Sequence, residues 1–437
     1  LTNGVRAMSS YDLIILSLFH PKVVNGGAQQ CAYDLFLNFR KYSDLKVCFI
    51  GATSPQTQLR AKPSSYIRKV PGADHEFYYF TGEYDYFWHN SVDSRAINDL
   101  ILFVAGHNPR SVFVSHYMHI GIDFLALLRL AMPSVYISVG LHEMLFACLA
   151  DGQMVRKTDG GLCNKAEPEL CATCFPHIPA DSFMARNKYN REAMGMADSF
   201  IVPAKHLGGI LHQEMGINPA QIHVINHPID LESYPANPPE PNSQKPVRFG
   251  FFGQFIDNKG IHLLLKAGDL INRSQPLQHS QIIINGGNKN FASSEYQTKI
   301  AELIGESRHW KHVEVVDLGG YRHDEIIDRM AGVDVVVVPS TWPEVFALVV
   351  TEAFACYKPV IAAFIGGLAE RIQHGVDGFN FKARDPVDLS AKMALFLEMD
   401  QAKYLQMAHA AHQSAIRLSP HRALSRYHQA LGLGEIS

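Results

Sequence analysis

Short apolar runs, each bounded by polar or turn-forming residues and followed by a helix-forming stretch, recur along this chain. In the first half they are Asp12 to Phe19, Leu45 to Ile50, Ser111 to Ser115, Ser134 to Ser138 and Ser199 to Pro203. Near-continuous runs of this kind predict strands buried on both faces, and their alternation with helical patterns predicts a parallel sheet covered by helices on each side. The pattern breaks at Tyr234-Pro-Ala-Asn-Pro-Pro-Glu-Pro-Asn-Ser-Gln-Lys-Pro246, which holds neither a helix nor a central strand. It then resumes with Arg248 to Phe252, Gln281 to Asn285, His312 to Val316, Val333 to Val338 and Pro359 to Ala362. The expected fold is therefore α/β, with two doubly wound, Rossmann-like domains in tandem facing across a cleft. The first spans 9–235, a Pro-rich linker 236–246, and the second 247–419. Residues 389–416 read as helices, and 420–437 as a further C-terminal helix.

Chemistry concentrates after the valine run. Glu344-Val-Phe-Ala-Leu-Val-Val-Thr-Glu352 places one carboxylate in the loop beyond a buried strand and a second about two helical turns on. In an open α/β sheet ligands bind beyond the strand ends, where the free N–H groups of a helix start face the crevice. A diphosphate there would meet the amides of Phe346, Ala347 and Leu348, and the two carboxylates would accept hydrogen bonds from hydroxyls on either side of it. A second Gly-rich junction, Gly26-Gly27, opens the first predicted helix and would allow close backbone approach to an anion.

Composition narrows the classes. The 437 residues are 47% hydrophobic and 19% charged, ample for two globular domains, and a formal net charge of −3 argues against nucleic acid as the main partner. No apolar run has the length of a membrane span, and the polar stretch before Met8 lacks the apolar core of a secretory signal. A cytoplasmic protein is expected, with contact at the inner face of a membrane left open, and the oligomeric state is not legible.

The Glu344 to Glu352 stretch resembles the Glu-x7-Glu motif of retaining glycosyltransferases with the two-domain GT-B fold, in particular family 4 (glycosyl transferases group 1). Gly250-Phe-Phe-Gly-Gln-Phe-Ile-Asp-Asn-Lys-Gly260 looks like the first donor-domain motif of that family, with Gln254 where most members carry Arg. Asn285-Gly-Gly-Asn288, Leu318-Gly-Gly-Tyr-Arg322 and Ile365-Gly-Gly-Leu368 match its later Gly turns. Tyr136-Ile-Ser-Val-Gly-Leu-His-Glu143 is similar to its strand ending in His-Asp, with Glu143 replacing Asp, and Asn226-His-Pro-Ile-Asp230 is similar to its Asn-Gly-Ile-Asp segment. The resemblance implies transfer of a sugar, with retention, from a UDP- or GDP-linked donor to a hydroxyl on a glycan or lipid-linked acceptor in glycan or polysaccharide biosynthesis. It needs no metal or other cofactor for catalysis. His142, Glu344 and Lys259 would be catalytic. Gly26, Gly27, Gly253, Gln254, Gly286, Arg322, Phe346, Ala347, Leu348 and Glu352 would bind the donor. In this fold 420–437 would cross back to the first domain. A nucleotide-sugar epimerase or hydrolase, and a non-catalytic nucleotide-sugar-binding subunit, are the rival readings. His116 and His119 are secondary candidates, expected to pack rather than react. The aromatic stretches Phe77 to Phe80 and Tyr84 to Trp88 suit either packing or sugar stacking, with packing favoured.

Four of the seven cysteines, Cys148, Cys163, Cys171 and Cys174, fall in one expected insertion at 148–174. The Cys171-Ala-Thr-Cys174 spacing suits a structural zinc site, and reduced free thiols suit the same residues equally. Cys31, Cys48 and Cys356 lie within predicted elements and read as small core residues.

Overall fold

The structure, a computed structural model, describes residues 10–24, 26–53, 65–238 and 246–434. The expected domain start at residue 9, linker residues 239–245 and the terminal 435–437 lie outside the described residues. The chain forms two compact units, Leu1–Pro228 with Pro420–Ser437, and Ile229–Ser419.

Ten strands belong to the first unit: β1 Leu13–Ser17, β2 Val47–Thr53, β3 Ile67–Lys69, β4 Glu76–Phe80, β5 Tyr84–Asp85, β6 Asn90–Ser91, β7 Ser111–Val114, β8 Tyr136–Gly140, β9 Ser199–Val202 and β10 Ile222–Val224. Eight of them make one sheet in the order β10-β9-β8-β7-β1-β2-β4-β3, while β5 and β6 pair separately. Every pairing in the large sheet is parallel except β3 with β4. All residues of β1, β2 and β7 are buried, as strands covered by helices on both faces must be. The chain order reverses between β1 and β7, so the loops leaving those two strands part to opposite sides and open a crevice.

Residues 420–430 form a helix of this first unit. Its Ala423, Leu424, Tyr427 and Ala430 join Leu13, Ile15, Phe36 and Phe113 in one apolar core. The carbonyl of Ala430 accepts from the buried hydroxyls of Ser138 (3.1 Å) and Ser199 (2.6 Å), and that of Leu433 accepts from Arg110 (3.0 Å).

The second unit holds β11 Val247–Gln254, β12 Ser280–Gly287, β13 Val313–Asp317, β14 Val335–Val338, β15 Val360–Ala363 and β16 Gly378–Phe381. They form one parallel sheet ordered β13-β12-β11-β14-β15-β16, with its reversal between β11 and β14. This unit starts earlier than the Pro-rich segment suggests. Ile229, Leu231 and Tyr234 pack on its core, the Ile229 N–H donates to the Leu418 carbonyl (2.9 Å), and the Tyr357 hydroxyl donates to the Ala236 carbonyl (2.8 Å). Residues 229–236 thus go with the second unit because their apolar side chains have a core to enter there. Among the described residues no helix is long and apolar enough to cross a membrane.

Candidate active site

The reversal point of the second sheet is where the two most chemically loaded loops meet. Lys259 follows β11 and Glu344 follows β14, and Phe249, Gly250 and Phe251 of β11 pair directly with Val335, Val336 and Val337 of β14. The loops dock on each other through the Thr341 N–H, which donates to the Asn258 carbonyl (2.8 Å). Gly260 makes this approach feasible. Its φ is +71°, and a Cβ there would lie 1.8 Å from the Pro339 carbonyl oxygen.

Brought together in this way, the Lys259 ammonium ion-pairs with one carboxylate oxygen of Glu344 and the Ser340 hydroxyl donates to the other. Glu344 is only 6% exposed, so its charge is tolerated because both oxygens are answered. Gly366, at φ +57°, lets a following turn close over this loop, where a Cβ would sit 2.6 Å from the Pro343 carbonyl carbon, and the Leu368 N–H donates to the Glu344 carbonyl (3.2 Å). The Lys259 ammonium also stands 5.9 Å from the centre of the Trp342 ring, whose indole N–H is buried without a hydrogen-bond partner among the described residues.

The helix after Glu344 runs from Leu348 to Ala355 and so begins just beyond the loop. Ala347 precedes it at φ +57°, ψ 84°, an unusual conformation for a residue with a Cβ, which turns the chain sharply into the helix. The amides of Leu348 and Val349 open the helix, which makes it a start suited to an anion. Arg371 adds fixed positive charge nearby. Its guanidinium lies 3.9 Å from the centre of the Phe346 ring and donates to Thr351 Oγ1 at 2.5 Å. Burial lowers its pKa to about 10, partly opposed by Asp377 and Glu370, which leaves it charged at neutral pH. Glu352 lies one turn into the helix, largely buried, with His323 Nδ1 at 3.8 Å.

The remaining donor-side candidates sit at strand ends. Gln254 ends β11 with an exposed side chain, and Gly253 beside it has φ +154°. Gly286 lies under Phe255, where a Cβ would meet the ring at 2.8 Å. Arg322 differs from these in that its side chain is 75% exposed and its guanidinium forks onto Asp324 at 2.6 and 2.9 Å.

In the first unit, Gly26 caps the helix Gly27–Tyr42, which follows β1 at that sheet's own reversal point. The loop after the neighbouring β7 carries Ser115 and His116, and that after β8 carries His142 and Glu143. Three imidazoles stack: His116 and His142 lie 6.0 Å apart at 7°, and His142 and His227 lie 5.2 Å apart at 14°. His116 Nδ1 accepts from the Met118 N–H (3.1 Å), which leaves Nε2 to carry a proton toward Glu143 Oε1, 2.8 Å away. Burial works to raise the Glu143 carboxyl, but the charge and hydrogen bond of His116 reverse this and hold it below its usual range. Burial, then the charge of His116, lowers His142 to about 4 against the opposing pull of Glu143. His142 is therefore neutral at pH 7, with Nε2 at 3.5 Å from Ser115 Oγ, on the wall of a cavity shared with Cys31, Ser115, Gly140, Pro203 and His227.

Sequence reasoning missed Ser340, Trp342, Arg371 and His227. Ser340 and Trp342 were legible in principle, since they lie inside the strand-to-Glu344 loop. Arg371 gave no such signal, and His227, although inside the matched Asn226–Asp230 segment, was not singled out there, because only the fold brings them to Phe346 and His142. His119 packs as expected, against Phe19 and Tyr84. The four cysteines of the insertion line one cavity, although among the described residues no three His, Cys, Asp or Glu side chains are already drawn together at metal-binding spacing.

Two Rossmann-like units of this topology define the GT-B architecture. Residues 235–414, most of the second unit, match the family model of glycosyl transferases group 1. The D-inositol 3-phosphate glycosyltransferase of Mycobacterium tuberculosis is 28% identical over 285 residues, which are 63% of this chain and 52% of that protein. The chain thus spans about half the length of the curated relatives it matches. Among solved structures, HepE from Anabaena in complex with UDP superposes with a TM-score of 0.66 at 18% identity, covering 98% of this chain and 100% of that one. Sucrose-phosphate synthase from Thermosynechococcus elongatus does so with a TM-score of 0.66 at 17% identity, covering 97% and 100%.

Proposed function

We propose that this chain is a retaining family 4 glycosyltransferase that moves a sugar from a nucleotide-diphosphate donor to a hydroxyl acceptor in glycan or polysaccharide assembly. The observation that carries the reading is the Lys259–Glu344–Ser340 cluster beside the start of the helix Leu348–Ala355. Breaking the bond between the anomeric carbon and the diphosphate leaves a multiply charged leaving group, which positioned donors away from water stabilise best. Lys259 and the helix-start amides take that charge, assisted by Gln254. Glu344 orients the sugar hydroxyls and Glu352 the ribose. His142, held neutral, offers a hydrogen bond to the sugar or the acceptor hydroxyl rather than a full charge. No step requires a metal.

A UDP-linked donor is the first choice, since the similar HepE was crystallised with UDP and with UDP-glucose. Acceptors are glycans or lipid-linked sugars, reached from the cytoplasmic side and, for a lipid, at the membrane face. The test is incubation with a panel of UDP-, GDP- and ADP-sugars, following released nucleotide with and without sugar acceptors. Acceptor-dependent release, with a product whose anomeric proton shows the donor's configuration, supports the reading. Release indifferent to every acceptor points to a hydrolase, epimerised donor to an epimerase, and binding without turnover to a non-catalytic subunit.

A further inference from the structure

Between β8 and the helix Pro168–Cys174 the chain runs through a long segment with no regular element beyond the single bridge pairing Val155 with Leu162. Segments of that length inside a compact domain need something to hold them. The helix that follows has seven residues and buries none of them, too short and too exposed to stand on its own packing. Asp151 and Met154 are held at φ +51° and +53°, a conformation that residues with a Cβ keep only when their surroundings fix it.

What the segment does bring together is sulfur. Cys148 arrives on a turn closed by its own N–H to the Met144 carbonyl (2.8 Å), and Cys163 on the short hairpin, with its N–H on the Met154 carbonyl (2.8 Å). Cys171 and Cys174 come one turn apart on the helix. All four line a cavity of about 340 Å³, counting its open mouth, whose other walls include Met154, Leu170 and Lys165. The Lys157 N–H points at Cys174 Sγ, at 3.4 Å, the kind of second contact that supports a thiolate ligand. No disulfide joins any of them.

Arg186 supplies an independent observation. It is 0% exposed, and its guanidinium donates only to backbone carbonyls, those of Phe87 (2.7 Å), Leu145 (2.6 Å) and Ala147 (3.5 Å). No carboxylate lies within ion-pair distance of it among the described residues. Arg186 stands within electrostatic reach of Cys148 and Cys171. A buried cation without a counter-charge is costly.

We propose that Cys148, Cys163, Cys171 and Cys174 form a tetrathiolate site for a structural zinc ion, with Arg186 as its buried counter-cation. On binding, Zn²⁺ displaces four thiol protons to solvent and the four sulfurs rotate inward onto the metal, giving a complex of net charge −2 beside the guanidinium. The site pins the insertion after β8. It does not depend on the transfer reaction proposed above, and the experiment reads metal rather than turnover. Untagged protein, purified from zinc-supplemented culture without chelator, is expected to carry about one zinc per chain by elemental analysis. A mercurial thiol reagent is expected to release it, and cobalt-exchanged protein to show sulfur-to-metal charge-transfer absorption. Cys171→Ser with Cys174→Ser is expected to lose the zinc. Arg186→Met is expected to weaken zinc retention against a competing chelator at least tenfold while leaving the ligands in place. Wild-type protein with four freely reacting thiols and no zinc after equilibration with the ion would overturn the assignment, as would a native Cys171–Cys174 disulfide or iron–sulfur absorption. Because the wild-type measurement decides the matter, a variant that fails to fold leaves it intact.

Discussion

At the scale of single residues, the Glu344 carboxylate has two partners, and their removal has separable consequences. Lys259→Met leaves a carboxylate that is only 6% exposed with Ser340 as its remaining partner. Lys259 itself is about one-quarter exposed (26%), so solvent screens part of the loss, and destabilisation on the order of 1–3 kcal/mol is expected in urea melts. Adding Glu344→Gln to that variant removes the stranded charge and should recover much of the stability, while binding of nucleoside diphosphate stays weak. Glu344→Gln alone should keep or tighten nucleoside-diphosphate binding by calorimetry, since Lys259 is freed for phosphate. Sugar transfer should nevertheless fall by about 10²-fold or more. Equal losses of binding and stability in all three variants would contradict this division of labour.

The imidazole stack gives a pH prediction. A histidine whose folded pKa lies at about 4, below its ordinary 6.5, takes up its proton more readily in the unfolded chain. The stability associated with neutral His142 is therefore fully present above about pH 6.5 and is lost as pH falls through about 4, by roughly 1.4 kcal/mol for each pH unit crossed. Burial raises Asp123 to about 6, which acts in the opposite sense over part of that range, while His89, His119 and His262, also lowered by burial, act in the same sense, so the whole-protein curve mixes them all. Comparing His142→Gln with wild type isolates the term: the variant should show a flatter decline between pH 6.5 and 4. His142 was legible in sequence only by resemblance, and its neutrality was not, because burial and the neighbouring His116 come from other elements.

At the scale of elements, the docking of the β11 loop on the β14 loop rests on Gly260. Gly260→Ala forces a Cβ against the Pro339 carbonyl in a left-handed conformation that alanine resists, and backbone rather than a movable side chain stands in the way. The loop must shift, carrying Lys259 away from Glu344. Expected outcomes are a loss of at least about 2 kcal/mol of stability and a nucleoside-diphosphate affinity lowered at least tenfold, read by calorimetry. The same elements show what sequence could and could not reveal. Strands β1, β2, β7, β8, β9, β11, β12, β14 and β15 announce themselves as apolar runs, since a strand covered on both faces has few polar positions to spare, and the edge strand β13 still reads through its three valines despite exposed Glu314 and Asp317. Strand β4, Glu76–Phe80, reads instead as an aromatic cluster, because Tyr78 and Phe77 are only half-buried at the margin of the sheet and Glu76 is polar. Glu76 is buried only because His20, Lys22 and Tyr33 answer it, and no local pattern shows that. The short β10 and β16 are likewise weak in isolation. The Glu344 loop was legible because strand, carboxylate and helix are contiguous in the chain. Arg371 was not, since its link to Phe346 is made in space.

At the scale of the whole molecule, the first unit is not continuous in sequence: residues 420–430 complete its core after the entire second unit has intervened. Removal of 420–437 would expose Leu13, Ile15, Phe36 and Phe113 and leave the Ser138 and Ser199 hydroxyls, both essentially buried, without the Ala430 carbonyl. Losing several buried side chains, each contributing about 1.5–3 kcal/mol, exceeds the margin by which an ordinary domain is stable. The second unit has its own sheet, its own core and the Lys259–Glu344 pair entirely within Ile229–Ser419. Truncation at residue 419 should therefore remove the calorimetric transition of the first unit and make the protein prone to aggregate. A second transition should survive, and its midpoint should still rise with added UDP, since a ligand that binds only the folded state stabilises it by mass action. Loss of both transitions together would mean that the second unit cannot hold the proposed nucleotide site without the first, and would place the cooperative unit at the level of the chain rather than of the sheet.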